Sequence, residues 1–357
     1  MRTHKIAVIG GDGIGPEVVD AGVEVLEALA EQGGLAFDFE RFDWGSDYYR
    51  KTGRMMAEDG LETLKGFDAI YFGSVGDPDL PDAITLWGLR IAICQGFDQF
   101  ANVRPTRLLP GITSPLRPEL GKQIDWVIVR ENSEGEYAGV GGRVHQGLPI
   151  EVGMDVSVFT RVGVERVARF ACELAMSRPR RLLTIVTKSN AQRHGMVFWD
   201  QICREVIQDF PDLTVDWMLV DAMTQRMVAK PGTIDTVLAT NLHADVLSDL
   251  AAALAGSLGI ASTANIDPSR KRPSMFEPIH GSAFDITGKG VANPLGSFWT
   301  ASDMLNHLGE RQAAARLMAA IETVTGRGEV LSPDLGGRAT TREVTDAVIA
   351  AIRGANA

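Results

Sequence analysis

The sequence predicts an α/β fold, and three observations support it. Short apolar runs alternate with longer stretches whose apolar residues recur every three or four positions, the pattern of strands feeding helices. Glycine pairs and prolines punctuate the joins. The chain has 357 residues, 45% hydrophobic and 23% charged, enough for a large core and either two domains or one domain with an insertion.

The elements follow in order. The apolar run Ile6-Ala-Val-Ile-Gly10 predicts a buried first strand over residues 5–10. A helix is expected over 16–32, with Pro16 in its first turn, where a missing N–H costs nothing, and Gly33-Gly34 at its end. Further strands are expected at 68–73, 126–130, 183–187, 214–220 and 236–240, and helices at 162–177 and 194–210. Residues 137–160 break the rhythm. They are rich in glycine and then alternate with period two through Ile150-Glu-Val-Gly-Met-Asp-Val-Ser-Val-Phe159, which predicts a protruding antiparallel element suited to an intersubunit arm. The last helix, 341–353, follows Gly336-Gly337 and is amphipathic, fit to dock on a sheet.

Composition narrows the function. Lys and Arg number 35 against 46 Asp and Glu, a formal charge of −11 with no basic block, which argues against a nucleic-acid partner. Cys94, Cys172 and Cys203 are odd in number and lack Cys-x-x-Cys spacing, so reduced thiols in a reducing compartment are expected. The first apolar run is too short for a signal-peptide core, and no stretch reaches the roughly 18 apolar residues of a membrane helix. A cytoplasmic protein without a membrane partner is expected.

Two motifs bear on chemistry. The turn Gly10-Gly11-Asp12-Gly13-Ile14-Gly15-Pro16-Glu17 invites a Rossmann reading, but a G-x-G-x-x-G match from Gly11 would require glycine at position 16, which is Pro16. A tight turn and a phosphate cradle both remain open for it, and a Rossmann fold is not supported. Asp245 and Asp249 lie one turn apart on a single helix face. The apolar residues after them predict a buried helix, where an acidic pair calls for a divalent cation; two acids favoured by a helix N-terminus is the alternative.

Longer motifs then accumulate: Asp98-Gln-Phe-Ala-Asn-Val-Arg104-Pro-Thr106, Val129-Arg130-Glu-Asn-Ser-Glu-Gly-Glu-Tyr137, Val186-Thr-Lys188-Ser-Asn190, Val220-Asp221-Ala-Met223, and Phe276-Glu-Pro-Ile-His280-Gly-Ser-Ala-Phe-Asp285 continuing to Asn293-Pro294. With the glycine turn and the Asp245/Asp249 helix they resemble, in order and over essentially the whole chain, the isocitrate/isopropylmalate dehydrogenase family of β-decarboxylating dehydrogenases. The first two are most similar to its tartrate and D-malate branch. The resemblance implies an isopropylmalate-dehydrogenase-like fold, a large mixed sheet across two α/β domains. The first domain, on the cofactor side, would be discontinuous (1–100 plus 255–357), and the second (101–254) would carry a dimerisation arm near 137–160. It also implies a homodimer with active sites in the interdomain cleft, shared between subunits.

The same resemblance implies an NAD-dependent oxidation, with decarboxylation, of a small 2-hydroxy dicarboxylic acid. Asp245, Asp249 and Asp221 from the neighbouring subunit would bind Mg2+ or Mn2+, as hard oxygen ligands favour, and K+ is admitted as a further ion. Arg104 and Arg130 would clamp substrate carboxylates bidentately. Lys188 would take the C2 hydroxyl proton and Tyr137 would protonate the enolate. His280, Gly281, Ser282 and Ala283 would form the adenosine loop, with Asn293 on the adenine. Asp285 would accept from the ribose hydroxyls and repel a 2′-phosphate, selecting NAD over NADP.

The chain departs from the family at one place. A third substrate arginine is expected ten residues before Arg104, where Cys94 stands instead; Arg90 lies one turn earlier on the same face. Position 90 is apolar in isopropylmalate dehydrogenases, so an arginine there disfavours a branched alkyl substituent. Arg90 is expected either to replace the missing arginine or to read an unfamiliar C3 substituent. D-malate or tartrate is the leading substrate. Isopropylmalate and isocitrate-like dehydrogenases are the alternatives, with a non-catalytic regulatory subunit as a reading of another class.

Overall fold

The computed structural model describes residues 2–354. Its strands are β1 Arg2–Gly11, β2 Leu35–Phe42, β3 Ala69–Ser74, β4 Ala101–Arg107, β5 Asp125–Glu131, β6 Gly135–Val144, β7 Val152–Val158, β8 Leu182–Thr187, β9 Thr214–Leu219, β10 Thr236–Ala239, β11 Ser262–Ile266 and β12 Ser274–Pro278. The described chain divides into two compact units: residues 2–99, 107–122 and 252–354 form the first, and 100–106 with 123–251 the second. Residues 107–122 thus belong with the first unit, although they lie inside the span expected for the second domain.

In the first unit the strands run β2-β1-β3-β12-β11. β1 pairs in parallel with β2 and β3, β3 with β12, and β11 closes antiparallel to β12. All six residues of β3, Ala69–Ser74, are buried, which is why it reads as a continuous apolar run rather than an alternating one. Helix Gly15–Glu31 starts with a proline in its first turn. One core joins Ile9, Ile70 and Phe72 of the strands to Leu89, Ile93 and Cys94. Cys94, at 3% exposure, is therefore a packing residue in helix Arg90–Gly96.

The second unit orders its strands β4-β5-β10-β8-β9, with β5, β10, β8 and β9 mutually parallel. Helices Arg161–Ser177 and Gly195–Ile207 pack on it through Val164, Val167, Met196 and Trp199 against Val129, Ile185 and Leu238. Thr160 caps the first of these by accepting from the Gly163 amide. β6 and β7 form a separate antiparallel ribbon, with Val140 opposite Val156 and Val144 opposite Val152. Its apolar side chains are open: Val144 is 56% exposed, Ile150 63% and Met154 60%. Among the described residues no helix is long and apolar enough to cross a membrane.

Candidate active site

Elements of the second unit bring three of the predicted site residues, Arg104, Arg130 and Tyr137, to Asp245. β10 is a short, wholly buried parallel strand, and helix Asn241–Leu254 leaves its carboxyl end, so Asp245 stands in the first turns above the sheet. β4 supplies Arg104, β5 supplies Arg130 and β6 supplies Tyr137. Arg130 Nη1 makes a short ion pair with Asp245 Oδ1, and Arg104 Nη1 lies 3.3 Å from the same oxygen. Tyr137 donates its hydroxyl to Asp245 Oδ2 at 3.3 Å and lies under the Arg130 guanidinium, 5.2 Å from ring centre to carbon.

Both guanidiniums are almost fully buried (Arg104 6%, Arg130 4% exposed), so each needs further acceptors. Asn241 Oδ1 accepts from Arg130 Nε at 2.9 Å and Nη2 at 2.6 Å. Asn102 Oδ1 accepts from Arg104 Nε at 2.8 Å, and Ser248 Oγ accepts from Arg104 Nη1 at 2.5 Å. Sequence reasoning missed Asn241, Ser248 and Asn102. Their only signal was position: each sits within four residues of a predicted site residue.

Three acids between Arg130 and Tyr137 hold the loop that carries them. Glu131 accepts the Ser133 and Glu134 amides. Glu134 accepts from the Thr160 amide and hydroxyl, both at 2.7 Å, tying β6 to the start of the following helix. Glu136 accepts the Leu242 amide and the Thr240 hydroxyl, so it caps the helix that bears Asp245. Burial raises the Glu131 carboxyl above the usual carboxylate range, against its hydrogen bonds to Ser133 and Glu134.

The helix itself departs from the expectation of burial. Leu242, Val246, Asp249 and Ala253 form an open stripe, with Leu242 42% and Val246 55% exposed. The apolar residues that suggested an interior helix lie on two faces, and only one of them meets this chain's core. Asp249 lies on the stripe. Desolvation, then the Asp245 charge, raises its carboxyl above the ordinary range against Arg104 and Arg130, the behaviour of an acidic pair not fully compensated by cations. Two carboxylates one turn apart, both hard oxygen donors, fit a Mg2+ or Mn2+ ion.

Asp221 is placed with Lys188 instead. The two form a short ion pair at the ends of β8 and β9, and the Lys188 ammonium holds the Asp221 carboxyl below the usual range. Among the described residues no three His, Cys, Asp or Glu side chains converge as a ligand set, so one chain by itself does not add Asp221 to Asp245 and Asp249. His243, buried two residues before Asp245, was also not singled out. Its imidazole is lowered by burial, with Glu136 opposing and the Lys188 charge adding to the effect.

The expected dinucleotide residues lie together in the first unit. The Ile14 amide donates to Ser282 O at 2.8 Å and the Asp12 amide to Ser74 O at 2.8 Å, so the glycine turn, the end of β3 and the loop at 280–283 form one knot. The Asp12 carboxylate is engaged within the protein: it accepts from the Ser46 amide and hydroxyl and the Gly76 amide. Gly13 has φ +60°, and a Cβ there would fall 1.9 Å from Ser282 O. Inside the knot the buried His280 Nε2 and Ser282 Oγ lack a protein partner. Two orphaned polar atoms in one loop fit a polar ligand such as an adenosine. Burial lowers the His280 imidazole, and its Nδ1 lies 3.0 Å from Gly281 O. Gly281 and Asp285 are exposed, and Ala283 takes a left-handed φ of 42°. Asn293 is engaged at both ends of its amide, donating to Asp334 at 2.9 Å and accepting from the Leu295 amide at 3.0 Å.

Arg90 lies in the same unit, with its Nε 2.7 Å and Nη2 2.6 Å from Oε1 of the buried Glu277. Asn265 Nδ2 donates to that oxygen at 2.8 Å. Glu277 therefore supplies the partner whose absence would have made a buried arginine costly.

The profile described as isocitrate/isopropylmalate dehydrogenase matches residues 5–348. The probable tartrate dehydrogenase/decarboxylase TtuC of Agrobacterium vitis is 68% identical over 100% of this chain and 98% of its own length. The D-malate dehydrogenase (decarboxylating) of Escherichia coli K12 is 47% identical over 98% of each chain. Among solved structures, isocitrate dehydrogenase from Methylococcus capsulatus superposes with a TM-score of 0.88 at 32% identity, covering 98% of this chain and 99% of that one.

Proposed function

This chain belongs to the isocitrate/isopropylmalate dehydrogenase family, and from that premise we propose that it oxidises and decarboxylates D-malate or tartrate with NAD and Mg2+ or Mn2+. It is an oxidoreductase acting on the CH–OH group of a hydroxy acid. The observation that carries the finer reading is the convergence of Arg104, Arg130 and Tyr137 on Asp245, with Asp249 one turn away.

Arg104 and Arg130 are preoriented forks. A substrate carboxylate exchanges for Asp245 on their Nη1 edges, while Asn102, Asn241 and Ser248 keep the guanidiniums in place. Asp245, so released, would hold a divalent cation with Asp249, and Asp221 of a second copy of this chain would complete the set. A metal held there would supply Lewis-acid polarisation of the C2 oxygen, and NAD would supply the hydride acceptor. Lys188, neutral after giving its ammonium proton to solvent, takes the proton of the C2 hydroxyl on Nζ. The C3 carboxylate leaves as CO2 with its bonding pair left on C3, and Tyr137 donates its hydroxyl proton to that carbon. His280, Gly281, Ser282, Ala283 and Asn293 shape the adenosine site, and Asp285 selects NAD. Arg90, held by Glu277, acts as a positioning cation for small, polar C3 substituents.

A homodimer is part of this reading. It is supported by the open apolar stripe of Leu242 and Val246 beside Asp249 and by the bare β6–β7 ribbon. NADH formation and CO2 release should be measured with Mn2+, with and without K+, across D-malate, the three tartrates, isopropylmalate and isocitrate. Turnover of isopropylmalate alone would overturn the substrate assignment. Silence across the panel at saturating NAD would return the chain to a regulatory role.

A further inference from the structure

The fold assembles a basic cavity from residues the sequence scatters. A pocket of about 240 Å3 in the first unit is lined by Arg2, Lys65, Arg270, Lys271 and Arg272 against a single acid, Asp68. These lining charges sum to +4 (five cations less one acid) in a chain whose net charge is −11. Arg2 and Lys65 have acidic neighbours, the half-buried Asp68 at 3.7 Å and the exposed Glu62. Among the described residues no acid lies within ion-pair distance of Arg270, Lys271 or Arg272.

The turn presenting these three cations is built rather than loose. Asp267, 6% exposed, accepts the amides of Ser269 at 2.9 Å and of Lys271 and Arg272 at 3.1 Å each, so the backbone wraps around one carboxylate. Arg270 sits at φ +56°, a left-handed conformation that glycine or asparagine adopts with less strain. The lining also includes His307, whose imidazole is held down to about 4 by burial and by the Arg270 charge.

We propose that this cavity binds a small multivalent oxyanion bearing phosphate groups, at a site separate from the substrate and dinucleotide residues. Guanidinium forks match phosphate oxygens, and the cavity volume suits a group the size of an oligophosphate. Long-range repulsion from a −11 chain is screened within about 8 Å at physiological ionic strength, so the local cluster governs binding.

Titration calorimetry of the full-length protein with pyrophosphate and with tripolyphosphate tests the proposal, with sulfate as the divalent comparison. Both phosphates should bind more tightly than sulfate. Arg270→Ala/Lys271→Ala/Arg272→Ala should weaken tripolyphosphate by about tenfold, as three exposed cations imply. Arg54→Ala/Lys51→Ala, remote exposed cations, should leave it unchanged. Arg270→Gly separates the readings further: affinity should fall while Tm does not, because the strained position is relieved. Absence of binding, equal loss in the remote control, or wild-type affinity in both Arg270 variants would overturn the proposal. The His307 ring resonances should shift on adding tripolyphosphate, and ring resonances that do not move would place any bound anion elsewhere.

Discussion

Asn241→Leu removes the carbonyl under Arg130, together with the 3.3 Å hydrogen bond that Asn241 Nδ2 donates to Glu134 O. The replacement keeps the branched skeleton, and the lost carbonyl accepts two N–H groups, at 2.9 Å and 2.6 Å, from a guanidinium only 4% exposed. A hydrogen bond to a charged group is worth about 1.5–3 kcal/mol. Two bonds sharing one acceptor are worth less than twice that, and Asp245 still neutralises the charge. The expected loss is therefore about 2–3 kcal/mol in urea unfolding followed by fluorescence, with m unchanged. Because Arg130 would then lose its Asn241 anchor, KM for the hydroxy acid should rise about tenfold or more, while KM for NAD stays fixed. A stability change below about 0.5 kcal/mol together with an unaltered substrate KM would refute the role assigned to Asn241.

Other outcomes follow from the remaining geometry. Gly13→Ala places a Cβ against Ser282 O at a positive φ, so it should destabilise by about 2 kcal/mol or more and raise KM for NAD; equal NAD affinity would separate the turn from the cofactor. Asp285→Lys should narrow the gap between kcat/KM for NAD and for NADP, and a wild-type enzyme that prefers NADP would remove Asp285 from the site. Asp303 is held at about 7 by burial, opposed by the Ser262 hydroxyl bond. With the folded value above the unfolded one, its contribution is full below the unfolded value near 3.8 and is lost as pH rises to about 7. Asp303→Asn should flatten the stability profile across that window, measured by Tm against pH.

Much of the fold was legible because the central parallel strands are buried on both faces and read as apolar runs; Trp126, Leu183 and Val237 announce theirs directly. Strands that broke this rule were missed. β4 contains Pro105 beside its site arginine, β12 ends in Pro278, and β11 is only five residues, Ser262–Ile266, two of them hydroxylated. The site was legible where motif and chemistry coincide, at Arg104, Arg130, Tyr137 and Asp245. The supporting amides and hydroxyls were not, because Asn241 and Ser248 acquire meaning only when β4, β5 and the Asp245 helix are brought side by side. Long motifs also overstate chemistry: the Glu131, Glu134 and Glu136 carboxylates fold a loop. The open stripe on the Asp245 helix has the same origin, since an exposed apolar face and one toward the core look alike in sequence.

The charge balance at Asp245 makes a last demand. Arg104 and Arg130 contribute +2, Asp245 and Asp249 contribute −2, and the arginines already pair with Asp245. A divalent cation arriving alone must take Asp245 from two buried guanidiniums and leave them facing a net +2. A dicarboxylate arriving alone must displace the same carboxylate and leave a net −2. Together they exchange partners with no change in charge. Metal and substrate should therefore bind with positive linkage, and reciprocity requires the same factor in each direction. Couplings of this kind run at about 1–3 kcal/mol, or roughly 5–150-fold. Calorimetry without NAD, so that no turnover occurs, should find Mn2+ binding at least about fivefold tighter at saturating D-malate than without it. Asp249→Asn upsets the balance and should shrink that factor. Equal Mn2+ affinity with and without D-malate would show that the guanidiniums and the metal do not compete for Asp245, and would leave the ion pairs around it a structural feature alone.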